Sequence, residues 1–132
     1  MNEKENRRAV LQAVDNMITA FSKHDRENYF AAFAEHATFL FHNLDRLLTS
    51  RAEYETVWKK WEEENQFRIL ACRSTDHNLQ MLGEVAIFTH NVSTDVIFDS
   101  KNETNNERET IVFVRDNSDC WLGVHEHLSI SN

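Results

Sequence analysis

Apolar residues recur at helical spacing in the first third of the chain. Val10, Leu11, Val14, Met17, Ile18 and Phe21 fall at i, i+3, i+4 and i+7, which predicts an amphipathic helix of about five turns. A second, shorter helix is predicted from Asp25, whose carboxylate suits the free amides of a first turn, and it offers Tyr29, Phe30 and Phe33 to a core. Thr38-Phe39-Leu40-Phe41-His42 then reads as a strand. Ser50-Arg51-Ala52-Glu53 has the spacing of a capping box and opens a third helix. This helix carries Tyr54, Val57, Trp58 and Trp61 on one side and closes in a solvated Glu62-Glu63-Glu64-Asn65 end. From Phe67 onward the period becomes two. Strands are predicted over Phe67–Arg73, Leu79–Leu82, Val85–Phe98, Arg108–Arg115 and Cys120–Ile130, joined by the polar stretches 76–78, 99–107 and 116–119. Helices first and strands afterwards define an α+β class, with helices packed on one face of an antiparallel sheet.

Composition sharpens this picture by exclusion. The 132 residues include two glycines and no proline. Average usage would give about nine glycines. A phosphate-cradling loop or a dinucleotide-binding turn needs glycines that this chain lacks. Asn and Asp, which tolerate positive φ better than other side chains, must make the turns. The formal net charge of −8, with no Lys/Arg block, argues against nucleic acid or an anionic membrane surface as partner. No apolar run follows the charges of the first eight residues, and Cys72 and Cys120 form no CxxC or disulfide framework. Together these features imply a cytoplasmic protein.

The last two strands carry the most specific sequence. Arg108-Glu109-Thr110-Ile111-Val112-Phe113-Val114-Arg115-Asp116 precedes Trp121-Leu122-Gly123-Val124-His125-Glu126-His127-Leu128-Ser129. This hairpin resembles the closing hairpin of SnoaL-like domains, within the nuclear-transport-factor-2-like (cystatin-like) superfamily, and that of the association domain of calcium/calmodulin-dependent kinase II. A second stretch, Met17 to Phe41, resembles ketosteroid isomerases at Asp25, Phe33-Ala34 and Ala37-Thr38. The resemblance implies a single domain over residues 1–132 in which three N-terminal helices pack into a strongly curved antiparallel sheet, a cone. It also implies a homodimer through the outer sheet face. The residues that serve the known sites are absent. The isomerase tyrosine falls on Met17 and its aspartate on Phe41, while the arginines of the kinase association domain fall on Asn91, Ile111 and Leu128.

Candidate chemistry divides between the two faces of the last strand. His125 and His127, two residues apart, share a face and could reach one metal, with His90 as a third ligand. The resemblance places that face, with Thr110, Val112 and Trp121, against a second subunit, so neither a metal nor a cofactor is expected. Glu126 falls on the opposite face, between Val124 and Leu128, where apolar surroundings would raise its pKa. Pairing with Arg68 or Arg73, or solvation at the rim, is the competing account of the same residue.

The cone wall is expected to comprise Met17, Phe21, Phe41, Tyr54, Trp58, Asn91, Ile111, Phe113, Glu126 and Leu128. Three functions remain open at this point. The first is binding of a small apolar or aromatic molecule. The second is a cofactor-free dehydratase, cyclase or isomerase, with Glu126 or His42 as general base and Asn91 or Trp58 orienting the substrate. The third is an oligomerisation module whose cone is filled by its own aromatics.

Overall fold

The computed structural model describes residues 2–131, so the expected domain ends at Met1 and Asn132 lie outside it. Helix α1 (Glu3–Ser22) is capped by Asn2, whose side chain accepts from the Glu5 amide, and it buries Val10, Val14, Met17 and Ala20. Helix α2 (Arg26–Ala31) starts at Asp25, which accepts from the Asn28 amide, and buries Tyr29 and Phe30. Strand β1 (Phe33–Phe41) follows, then helix α3 (Arg51–Asn65) with Tyr54 and Trp58 buried. The Ser50 hydroxyl accepts from the Glu53 amide as the capping spacing predicts. The return bond is displaced by one residue, because the Glu53 carboxylate accepts from the amide and hydroxyl of Thr49.

Four long strands complete the chain: β2 (Arg68–Leu82), β3 (Val85–Phe98), β4 (Lys101–Arg115) and β5 (Trp121–Ile130). The five-stranded sheet has the order β1-β5-β4-β3-β2. Strands β2 to β5 are antiparallel neighbours, whereas β1 joins the edge of β5 in parallel. Two polar segments expected as loops lie within strands instead. Residues 76–78 form an irregularity inside β2, with Asp76 at φ 56°, and β4 begins at Lys101, so the β3–β4 turn is made by Asp99 and Ser100 at φ 53° and 65°. With proline absent and glycine scarce, Asp and Ser side chains accept the left-handed backbone that tight hairpins require.

The core lies between the inner sheet face and the helices. Phe33, Phe39, Phe88, Phe113, Trp58, Leu48, Ile111 and Val10 are fully enclosed. Gly123 is required where β5 passes Phe33, since a Cβ there would lie 2.7 Å from the ring. One irregularity matters for the site. Val112 pairs with His125 but Phe113 pairs with Gly123, so Val124 is an extra residue in β5. Side chains before and after this bulge therefore follow opposite parities.

Candidate functional site

The helices do not fill the cone. A cavity of about 800 Å³, its open mouth included, lies between α1, α3 and the inner faces of β2 to β5. Its apolar wall comes from Met17, Ile18 and Phe21 on α1, from Tyr54, Trp58 and Trp61 on α3, and from Phe41, Phe67, Ile69, Val92, Val96, Ile111 and Leu128. Strand alternation then inserts polar groups into this wall. On β4, Glu107, Glu109, Ile111 and Phe113 share the inward parity, and on β3 His90, Val92 and Thr94 do. Opposite them β5 contributes Glu126, paired in register with Ile111.

These groups form one hydrogen-bonded cluster. Glu126 is only 3% exposed, and its carboxyl group is hydrogen-bonded to that of Glu109. The Tyr29 hydroxyl donates to Glu126 Oε1 at 3.2 Å, and the hydroxyls of Tyr29 and Tyr54 lie 3.0 Å apart. On the other side, His90 Nε2 lies 2.5 Å from Glu109 Oε1. Burial, reinforced by the neighbouring Glu109 charge, holds the Glu126 carboxyl well above the usual range. Burial also raises Glu109. Two close carboxyl groups in apolar surroundings cannot both ionise readily, so one proton is shared between them, with Glu126 as the protonated donor and Glu109 as the acceptor. His90 is pushed down to about 4 by burial, against the opposing pull of Glu126, and so is neutral with Nε2–H directed at Glu109. Burial raises both tyrosines well above 10 and lifts the Cys72 thiol on the cavity wall to about 11.

Of the ten residues expected on the wall, Met17, Phe21, Phe41, Tyr54, Trp58, Ile111, Glu126 and Leu128 line the cavity. Asn91 does not. Alternation turns it to the outer, exposed side of β3, where it donates to Asp76 at 2.7 Å. Phe113 faces inward but is fully enclosed in the packed core and does not reach the cavity. His42 is exposed, outside the wall, and binds Glu107 at the rim through Nε2 at 2.5 Å. The pairing of Glu126 with Arg68 or Arg73 does not occur; Arg73 binds Asp95 on the outer face. Glu62, expected to be solvated, accepts from Trp58 Nε1 at 3.0 Å and from Arg26 at 2.7 Å.

The face assigned to a second subunit also changes. Thr110, Val112, His125 and His127 are on the outer face, with His125 Nδ1 2.7 Å from Thr38 Oγ1. Trp121 is not with them. The bulge at Val124 reverses its parity, and it is buried in the core at 6% exposure. His90 lies on the inner face, so the sheet itself separates it from His125 and His127. Among the described residues no three His, Cys, Asp or Glu side chains converge on a common point suited to a metal ion. No helix among them is long and apolar enough to cross a membrane.

Sequence reasoning missed Glu107 and Glu109, although the assignment of Thr110 and Val112 to the outer face already implied their inward parity. The contribution of Tyr29 carried no such signal, since its approach to Glu126 depends on tertiary packing against Phe21, Phe33, Tyr54 and Trp58 from three other elements.

Comparison with known proteins gives a consistent result. A family model described as the SnoaL-like domain matches residues 10–132. No curated protein matches the sequence significantly. Among solved structures, a nuclear transport factor 2 (NTF2-like) superfamily protein from Salmonella enterica superposes with a TM-score of 0.84 at 12% identity, covering 99% of this chain and 94% of that one. The CaMKII hub of S. rosetta gives 0.75 at 23% identity over 94% and 95%. A protein from Novosphingobium aromaticivorans, provisionally called a scytalone dehydratase, gives 0.79 at 12% identity over 95% and 83%. At these identities the likeness is one of fold.

Proposed function

The chain belongs to the SnoaL-like domain family, and from that premise we propose that its cone binds a small, largely apolar or aromatic molecule through one polar group held at Glu126. The observation that carries this reading is the buried cluster of Glu126, Glu109, Tyr29 and Tyr54 at the wall of an otherwise apolar cavity. An apolar pocket with a few convergent polar groups is the usual form of a small-molecule site. Charge narrows the ligand further. Among the described residues the cavity lining includes no lysine or arginine, so an anionic ligand would meet the Glu109 charge and no counter-charge. The favoured ligand is neutral and presents a hydroxyl or carbonyl group.

A second reading, cofactor-free dehydratase, cyclase or isomerase chemistry, is favoured by the Glu109–Glu126 pair. Glu126 carries a proton for a carbonyl oxygen or a departing hydroxyl, and Glu109 carries the charge that can accept a proton from the ligand. The open cavity argues against a cone filled by its own aromatics. The unit is proposed to span residues 1–132 and to be a cytoplasmic homodimer joined through Thr110, Val112, His125 and His127. Native mass spectrometry of freshly purified protein tests these points together. A dimer retaining a neutral small molecule supports the proposal, and a ligand-free monomer that rejects neutral aromatics in titration contradicts it.

A further inference from the structure

A continuous chain of hydrogen bonds leaves the buried carboxyl pair and reaches the protein surface. His90 Nε2 meets Glu109, and the opposite ring nitrogen, Nδ1, lies 2.5 Å from Ser74 Oγ. Ser74 Oγ in turn lies 2.6 Å from Nε2 of His77, which is exposed. The donors can be assigned without conflict. His90 gives its one proton to the Glu109 carboxylate, so Nδ1 accepts from the Ser74 hydroxyl, and the Ser74 oxygen accepts from His77 Nε2–H. The irregularity in β2 between Thr75 and Asn78 places His77 here, with its ring 6.0 Å from that of His90.

We propose that His77, Ser74 and His90 form a proton relay that reloads the Glu109–Glu126 pair from solvent while a ligand occupies the cavity. This rests on the reading of Glu126 as the ligand-facing acid. The step balances as one proton in and one proton delivered. His77 takes a proton from water on Nδ1 and passes its Nε2 proton to Ser74. Ser74 passes its own proton to His90 Nδ1, and His90 releases its Nε2 proton to Glu109. The chain resets when the same hops run in reverse and carry outward a proton that the pair has taken from the ligand, which returns Nε2–H to His90 and the Nδ1 proton to Ser74. The titratable groups around the pair are Glu107 on β4, Tyr29 on α2, Tyr54 on α3, Cys72 on β2 and His90 on β3. Among them His90 is the one whose two ring nitrogens lead from a carboxyl group of the pair towards bulk water. A ligand in the cavity covers the side from which the Glu109 side chain, 11% exposed, meets water, and leaves the His90 side as the route to solvent.

Rapid-mixing infrared spectroscopy tests the relay with the cavity filled by 2-naphthol, whose binding is established first by Trp58 and Trp61 fluorescence, so that failure of the ligand reading is seen separately from failure of the relay. The carbonyl stretch of the protonated carboxyl group, identified by its loss in Glu126→Gln, shifts when its proton exchanges in heavy water. In Ser74→Ala this exchange is expected to slow at least about a hundredfold, the lower range of what one positioned proton carrier contributes. Ser74→Thr, which retains the hydroxyl, is expected to exchange within a few-fold of the parent. His77→Ala is expected to slow and to recover when imidazole is added. Equal exchange in the parent and a folded Ser74→Ala would overturn the relay, as would the absence of a protonated carboxyl band at neutral pH. Equal slowing in Ser74→Thr and Ser74→Ala would do the same, because it would mark a packing role.

Discussion

The Tyr29 hydroxyl donates to Oε1 of Glu126 over 3.2 Å, joining a helix near the start of the chain to its last strand. The bond stabilises the ionised carboxyl and is the main influence that lowers Glu126 against burial and the Glu109 charge. Tyr29→Phe removes the donor and leaves the ring packing in place. The variant is expected to shift Glu126 further upward and to lose about 1 kcal/mol of stability, the net worth of one hydrogen bond. Carbon-13 NMR titration of the glutamate carboxyls and urea denaturation measure the two effects.

Stability should depend on pH in two opposed ways. Glu126 and Glu109 titrate in the folded state above their ordinary value of 4.5, so the folded chain keeps protons that the unfolded chain has released. Stability therefore falls as pH rises from 4.5 through the folded-state values. His90 is lowered from 6.5 to about 4, so between these values the unfolded chain binds a proton that the folded chain refuses. That contribution is complete above 6.5 and is lost as pH falls towards 4. Glu126→Gln keeps the size, can donate to Glu109 and can accept from Tyr29. Its stability relative to the parent should grow as pH rises above 4.5, where the unfolded parent releases the proton that the folded parent keeps. Denaturation curves that remain parallel across this range would contradict the buried proton.

Gly123 fixes the approach of β5 to the core. A Cβ at this position would lie 2.7 and 2.9 Å from two ring carbons of Phe33 and 3.2 Å from Met17 Cε. Phe33 is fully enclosed and has nowhere to move. Gly123→Ala is expected to lose about 1–3 kcal/mol through overpacking. Combining it with Phe33→Leu should recover part of that loss, which a double-mutant cycle in urea measures.

The outer sheet face carries the proposed dimer contact. Val112 is half-buried there, between Thr110 and Val114, and pairs in register with His125. Val112→Asp places an unpaired charge in the contact and is expected to yield monomer with an unchanged circular dichroism spectrum. Light scattering after gel filtration measures the mass. A parent that is already monomeric, or a variant that remains dimeric, would remove this face from the account.

Much of this arrangement can be read from residue pattern alone. The third helix begins where Ser50 and Glu53 place its cap, and alternation along β5 puts Glu126 inside. Alternation fails where the backbone inserts a residue. Trp121 reads as outward when counted from His125, and only the bulge at Val124 brings it into the core. Composition also misleads in the β3–β4 hairpin. Asn102 to Glu107 look like a loop because they extend beyond the core, yet pairing with β3 makes them strand. The Tyr29–Glu126–Glu109–His90 cluster joins four separate elements, and no local spacing encodes such a meeting.

The central claim is that the cone takes a neutral, largely aromatic molecule by its polar group at Glu126. Paired titrations with 2-naphthol and 2-naphthoate, followed by the fluorescence of Trp58 and Trp61, test it most directly. The two probes share shape and apolar area and differ in charge. Saturable quenching by 2-naphthol is expected, with affinity for 2-naphthoate at least about tenfold weaker, a modest allowance for an anion facing the Glu109 charge with no counter-charge. Equal or tighter binding of 2-naphthoate, or quenching by neither probe, would contradict it.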